Sequence, residues 1–530
     1  MEFRIADTFT ESLARLTGDE QKTVKMAAFD LQLNPASPSM SFHDVVVVGL
    51  GAAGATTAIT AHDLGAEVLV LEKAPACLRG GNSRVSGQIV FWPNDVDKAM
   101  AYFRAMAGPY MDGVSAAMVR AWAVEMHANR AWLEALGLDP ASVSSVEYPE
   151  LPGADCVEVI LHGKGPYGEA RLWDNVIEPA YAARNIATLY DTAAIHLLRE
   201  GNDIVGVVAE HAGERVDIRA RRAVVLTCGG FQNDQAMVRN YLTDLPCCYP
   251  LGTPYNTGDG IRMAMEVGAN LWHMNNLAGP FLAFKAPEHP VCARLGAARA
   301  DSYIYVAGDG TRFIGETANF KVEDGRQRSP IKHGKVLRNG RYVQYPCPLP
   351  IYMVFDETVR RAGGICGKAA GFTFGWDVIH GDLYQWSADN SREIDKGWIK
   401  CAGSIEALAR TIGLAPATLA GTAERYNSAC AAGTDAEWHR NPATLAPLRT
   451  PPYYAIELVP ASLNTQGGPM RNEHAQVMGV HGLPIPHLYS AGELGSIYAH
   501  RYQAGGNLGE CFAFGRIAGR NAAAARPLAG

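Results

Sequence analysis

No C-x-x-C pair occurs in this 530-residue chain. Its eleven cysteines are an odd, scattered set, so no thioredoxin-like dithiol, zinc knuckle or c-type haem site can be read from them, and no metal site is expected. Cys247 and Cys248 adjoin each other and read as two buried thiols rather than a redox device. A surplus of positive charge is also missing. Lys and Arg number 47 against 54 Asp and Glu, for a net charge of −7, which excludes a basic groove for nucleic acid. Long hydrophobic runs are absent too. The most apolar window, VVVVGLGAAGATTAITA at 45–61, is too short and too rich in glycine for a membrane helix. The opening residues hold Glu2, Arg4 and Asp7 without an apolar run, so no signal peptide is read. The expectation is a cytoplasmic protein in a reducing compartment, with no membrane insertion and no nucleic-acid partner.

What is present is apolar mass, 48% of residues, in a chain longer than one ordinary domain. Its clearest element is DVVVVGLGAAGATTAITAHDLGAEVLVLEK, from Asp44. The unbroken β-branched run reads as a strand buried on both faces. A glycine turn, a helix over 52–64 and a second strand ending on Glu72 complete a βαβ unit. The glycines of Gly49-x-Gly51-x-x-Gly54 play distinct parts. Gly49 makes the tight turn, Gly51 admits a pyrophosphate, and Gly54 lets the helix pack on the strand. The helix N-terminus offers N–H groups to phosphate. Glu72, 18 residues after Gly54, can accept from ribose hydroxyls. Gly49, Gly51, Ala53, Gly54, Glu72 and Lys73 are therefore expected dinucleotide contacts.

Elsewhere the pattern predicts a helical region over 95–136 and a small antiparallel insert over 186–226 that returns to the parallel sheet. The composition shifts to Pro, Trp and charge over 275–450, with two short helices at 405–430. A further buried strand is expected at 485–493 and a last helix through FAFGRIAGRNAAAA. Residues 1–43 read as a helical appendage, similar to the opening helices of RelE-type toxin modules.

Five further stretches carry a resemblance: RGGNSRVSG (79–87), LTCGGF (226–231), NTGDG (256–260), SAGELG (490–495) and AHRYQAGGNLGE (499–510). With the glycine loop, and in this order, they make the chain resemble the FAD-dependent flavoprotein family of fumarate reductase, the succinate dehydrogenase flavoprotein and the 3-ketosteroid dehydrogenases, over about 44–526. The resemblance implies an α/β fold: a doubly wound parallel-sheet, Rossmann-like FAD-binding domain built from 44–274 and 452–526, with an inserted α+β cap at 275–451. It implies that Gly80, Gly81, Asn82, Ser83 and Gly87 line pyrophosphate and flavin, that Ala194 faces the adenine, and that Thr227, Cys228, Gly229 and Asp259 hold the middle of FAD. Gly492 and Glu493 would take the ribityl chain, and Gly505, Gly506, Asn507 and Leu508 the pyrimidine end. Respiratory members attach FAD through a histidine; this chain has Arg79-Gly80-Gly81-Asn82 there, so non-covalent FAD is expected. No second G-x-G-x-x-G follows a strand, which speaks against a built-in NAD(P)H site.

Family members move a hydride between flavin N5 and a C–C bond beside a carbonyl or carboxylate, and a proton is exchanged at the neighbouring carbon. The family's acid or base, an arginine or a tyrosine, follows the glutamate of R-F-x-x-E by four residues. Here Arg312-Phe313-Ile314-Gly315-Glu316 is followed by Phe320, with Lys321 beside it. The family's His-Thr-x-Gly-Gly is Asn464-Thr465-Gln466-Gly467-Gly468. A gap-free count places Tyr502 where the carboxylate-clamping arginine stands, with Arg501 one residue earlier. Tyr502 and Gly506 have the spacing of the ketosteroid-type site, in which a hydroxyl and a glycine N–H bind the ketone oxygen. The expected function is thus hydride transfer at a C–C bond next to the carbonyl of a cyclic or apolar ketone. One alternative acts on an unsaturated carboxylate through Arg501; another is a flavin-binding redox protein without turnover. The proton group is left open among Arg501, His500, Lys321, Tyr303 and Tyr305. The substrate is a small molecule and the electron partner is unknown.

Overall fold

The computed structural model describes residues 43–528 apart from 112, 144–145, 163–170, 297–299, 318–319, 322–326, 329–330, 339–340, 371–374, 376–377 and 380–383. The appendage read at the N-terminus lies outside these residues, save for His43.

The run of valines at His43–Val48 is central in the larger sheet. It pairs in parallel with Val68–Leu71 on one side and with the end of Glu214–Leu226 on the other. Ala187–Leu189 extends the parallel order beyond Val68–Leu71, and Pro484–Ser490 extends it beyond Glu214–Leu226. Thr192–Glu200 and Asp203–His211 form the antiparallel excursion that leads into Glu214–Leu226. Burial on both faces explains why these strands are continuous runs of Val, Leu and Ala rather than alternating patterns.

One face is covered by the glycine-loop helix, Ala52–Asp63, and by the last helix, Gly506–Ala524. The two pack at close range: a Cβ on Gly515 would come within 2.8 Å of Thr56 Cβ, and one on Gly519 within 2.7 Å of the Thr57 carbonyl. Thr57 Oγ1 donates to the Gly515 carbonyl at 3.2 Å. The expected long helical region is two helices, Val96–Ala107 and Ala116–Ala135, which pack their Tyr102, Phe103 and Trp122 into the same core.

The second sheet runs Ala293–Arg294, Phe281–Phe284, Tyr453–Ser462, Ile351–Asp356, Tyr303–Ala307, with Ile399–Ala402 and Tyr249–Pro250 also on Tyr453–Ser462. Tyr453–Ser462 therefore belongs to the cap's sheet, although the sequence reading placed 452–526 with the FAD domain. The strand has hydrogen-bonding partners on both edges only there. Ile405–Thr411 and Pro416–Ala432, the latter longer than expected, cover this sheet's outer face.

The R-F-x-x-E motif is an internal brace of the cap. The Arg312 guanidinium pairs with Glu316 at 2.6 Å and Asp435 at 2.8 Å, and Arg440 reaches Glu316 at 3.4 Å, all deeply buried. Beyond it, a three-stranded meander of Ile331–Lys332, Lys335–Arg338 and Arg341–Gln344 dips towards the larger domain. There the Gly279 N–H donates to the His333 carbonyl at 3.0 Å.

Candidate FAD and substrate site

The glycine loop is built as its spacing requires. Gly49 has φ of +101°, and a Cβ on Gly54 would lie 1.9 Å from the Gly49 carbonyl oxygen. Both are constraints of chain packing. Gly51 differs: a Cβ there would meet nothing nearer than Ser83 Oγ at 3.6 Å. The space above Gly51 is therefore open, and Ala53 and Gly54 carry first-turn N–H groups without an intrahelical acceptor. Ala52 N–H already donates to Ser83 Oγ at 2.9 Å. Open space beside free N–H groups at a helix N-terminus fits a pyrophosphate.

Two adjoining cavities run from this loop. The first holds about 790 Å³ of empty space, its mouth included, and the loop residues Gly49, Gly51 and Ala53 form its floor. At one end Glu72 and Lys73 join Thr192 and Ala194; Gly81, Thr227, Cys228, Gly229 and Asp259 form the walls. Glu72 is fixed by the N–H groups of Leu50 (2.7 Å) and Ala74 (2.8 Å), and burial raises its pKa. Lys73 Nζ pairs with Asp259 at 2.5 Å. Burial pushes the Cys228 thiol up to about 12, so it is no thiolate. The second cavity, about 750 Å³ with its mouth, shares Asn82, Ser83, Glu493 and Cys511 with the first. Together they make one elongated slot.

At the junction, Asn82 Nδ2 donates to Glu493 at 3.1 Å and its Oδ1 accepts from the Thr253 N–H at 3.0 Å. Burial raises Glu493 to about 8, so this carboxyl is a potential donor at neutral pH. Gly87 and Leu508 line the second cavity, as does Asn507, whose side chain is held by Asn464 (2.9 Å) and Gln466 (3.1 Å). Asn464 thus faces the site where the family has histidine. The N–H groups of Asn507 and Leu508, in the first turn of the last helix, add positive potential there. Glu510 is not a solvated dipole partner: it is buried, paired with Arg471, and accepts from Ile497 N–H at 2.8 Å, which ties the 492–497 loop to the helix. Gly80 and Gly492 do not line the slot. Their role is packing, since a Cβ would strike Trp173 or Ala53, respectively, at 2.8 Å.

The catalytic trio of the sequence reading separates. Tyr502 lines the second cavity, buried, with its ring over His333 at 4.2 Å. Gly506 does not: its N–H is spent on the Gln503 carbonyl at 2.8 Å, and Gly505 lines the cavity instead. Arg501 points away altogether. Its guanidinium donates to the carbonyls of Met106 (3.0 Å) and Ala105 (2.7 Å), at the end of Val96–Ala107, and lies over the rings of Tyr148 and Tyr342. A cation there satisfies carbonyls the helix leaves unpaired.

Other candidates also fall away from the slot. Tyr303 and Tyr305 are in the cap interior, and His500 sits against Tyr110 outside both cavities. Phe320 and Lys321 form a two-residue strand with Gln327–Arg328, and their side chains lie outside the described residues. Two residues that no motif announced take their place: Arg294, its guanidinium over Phe281, and His333, both from the cap. Thr192 and Thr253 carry no signal of their own either, though Thr192 lies two residues before Ala194 and Thr253 three before the NTGDG turn.

The chain is similar to known flavoproteins. Residues 44–508 match the family model described as FAD binding domain. The chain is 26% identical over 524 residues to the fumarate reductase (cytochrome) of Shewanella frigidimarina, covering 95% of this chain and 81% of that protein. It is 25% identical over 577 residues to the 3-oxosteroid 1-dehydrogenase of Mycobacterium tuberculosis, covering 90% and 97%. Its fold matches the 3-ketosteroid Δ1-dehydrogenase of Sterolibacterium denitrificans with a TM-score of 0.70 at 23% identity, over 91% and 99% of the two chains. The chain thus belongs to the FAD-binding domain family and is an FAD-dependent oxidoreductase of the fumarate reductase and ketosteroid dehydrogenase type.

Proposed function

We propose that the protein transfers a hydride between FAD and a C–C bond adjacent to the carbonyl of a cyclic or apolar ketone. Bound FAD supplies the two-electron chemistry. Gly51, Ala53 and Gly54 hold its pyrophosphate, Glu72 and Ala194 its adenosine end, Glu493 its ribityl chain, and Asn507 and Leu508 the flavin's far edge. Attachment is non-covalent, because Arg79 at the family's attachment position is engaged with Glu178 and offers no ring nitrogen. Tyr502 donates to the ketone oxygen and so stabilises the enolate that forms beside it.

The observation that carries this reading is the wall of the second cavity. Val85, Ile89, Leu463 and Leu508 give it an apolar character, and Tyr502, which the gap-free count sets at the family's carboxylate clamp, lines it too. A dicarboxylate needs several fixed cations, and among the described lining residues Arg294 is the one permanent cation. Arg294 is also what supports a second reading, a monocarboxylate substrate held by that guanidinium rather than by Arg501.

The test is anaerobic. Flavin reduced with dithionite is mixed with a cyclic enone, a 3-ketosteroid dienone or fumarate, and the return of the oxidised band is timed. Reoxidation by the ketones and not by fumarate is expected. Tyr502→Phe should slow it by about 10²–10³-fold at unchanged flavin content. Unchanged rates in that variant would remove Tyr502 from the chemistry. Reoxidation by a monocarboxylate alone, lost in Arg294→Met, would establish the second reading. Flavin released into the supernatant by acid precipitation tests the non-covalent attachment.

A further inference from the structure

Hydride transfer to a conjugated alkene leaves a carbanion that must take up a proton, and the family's position for that group holds Phe320. We propose that His333, held in place by Glu147, exchanges this proton at the carbon next to the substrate carbonyl. The proposal rests on the ketone reading above.

His333 lines the second cavity beside Tyr502 and Arg294. Its backbone has φ of +46°, a conformation that a non-glycine residue keeps only where the surroundings impose it. Here they do. The His333 carbonyl accepts from Gly279 N–H at 3.0 Å, and the next residue, Gly334, abuts the Gly279 backbone so closely that no Cβ fits. The ring is then fixed from two sides. It leans over the Tyr502 ring, and Nε2 meets Glu147 Oε2 at 2.7 Å. That carboxylate is itself fixed, since the same oxygen accepts from the Ala504 N–H at 2.8 Å. A carboxylate on one ring nitrogen orients the ring and sets the tautomer, leaving the other nitrogen to trade a proton. Among the described residues Nδ1 has no hydrogen-bond partner.

The other titratable groups of this cavity wall are less suited to proton exchange. Arg294 keeps its proton, Tyr502 polarises the oxygen, and Glu493 is engaged with Asn82 at the junction. Lys335, two residues along the meander, donates to the Leu277 carbonyl at 3.1 Å and faces a different cavity. In the reductive direction, bound FAD in its reduced form would provide the hydride, with its electron pair, that reaches the carbon β to the carbonyl. The C=C π pair becomes the enolate, and the Nδ1 proton of the imidazolium goes to the α carbon. The two electrons would come from bound FAD, the C–C bond is reduced, and His333 is left neutral until solvent reprotonates it. In reverse, neutral His333 takes the α proton.

The test separates proton from hydride. Holoenzyme with oxidised FAD is incubated anaerobically in D₂O with cyclohexanone and with a saturated 3-ketosteroid, and deuterium entry at the α carbon is followed by NMR. The wild type should exchange, and His333→Gln should exchange about 10²-fold or more slowly with Tm and flavin content retained. Glu147→Gln should slow the same exchange, with Tm and flavin content retained, because the ring loses the partner that holds it over the slot. Wild-type exchange that His333→Gln leaves intact overturns the proposal while the ketone reading stands. Flavin reoxidation by fumarate alone, with no exchange into either ketone, overturns the ketone reading and the proposal with it.

Discussion

Arg501 illustrates how a residue's chemistry is set by what lies beside it in space. In the chain it adjoins Tyr502 and the last glycines; in the fold it closes the C-terminal end of Val96–Ala107. Arg501→Met should therefore cost about 1–3 kcal/mol of stability, seen as a lower Tm, and change the enone reoxidation rate by less than about twofold. A large loss of rate at unchanged Tm would return the guanidinium to the site. Counting back from the last helix places its neighbour Tyr502 on the cavity wall, because the side chains of adjacent residues diverge there. The same count cannot see that the Gly506 N–H is consumed by a turn, since turn bonds leave no mark in spacing.

At the scale of elements, the glycine loop separates glycines needed by the fold from one needed by the ligand. Gly54→Ala forces a Cβ to within 1.9 Å of a carbonyl oxygen and should yield little folded protein. Gly51→Ala meets nothing nearer than 3.6 Å. It should keep secondary structure and core packing, yet bind FAD on the order of tenfold more weakly or worse, since the methyl takes the space of the pyrophosphate. Flavin absorbance per folded chain, read against circular dichroism, distinguishes the two; a Gly51→Ala protein with full flavin content would contradict the role given to that space. This loop was legible because strand, turn and helix are contiguous and each glycine obeys a local rule. The motifs at 79–87, 226–231 and 490–495 were legible by resemblance. His333 and Arg294 were not. Arg294 ends a two-residue cap strand and His333 lies in the turn between Ile331–Lys332 and Lys335–Arg338, neither within a motif; the pairing of Phe281–Phe284 with Ala293–Arg294 and the contact of His333 with Gly279 bring them to the slot. The pairing of Tyr453–Ser462 with the cap's strands was not legible for a similar reason: its partners lie up to about two hundred residues away.

At the scale of the whole molecule, the cap and the larger domain meet around Lys335, which lines a cavity with Tyr110, Leu242 and His500 and whose ammonium is buried against the Leu277 carbonyl. Burial, aided by the Arg501 charge, lowers this lysine from 10.5 to about 7. The folded state thus binds fewer protons than the unfolded state between those values, and stability rises with pH across that window. Lys335→Met removes this slope. It should stabilise most near about pH 6, by on the order of a few kcal/mol, with the difference gone above about pH 11. Equal effects at both ends, by thermal melts, would mean the lysine is solvated and charged throughout. A last consequence comes from the contact of Ala52–Asp63 with Gly506–Ala524, sealed by Gly515 and Gly519. The ribosome makes the glycine loop early and its covering helix more than 400 residues later. Until that helix emerges, the loop has no lid of protein on one flank and the slot has no far wall. A nascent chain therefore cannot retain its flavin. Yellow colour in a preparation counts chains that were finished as well as folded, and a stop codon anywhere before the last helix should give a colourless product.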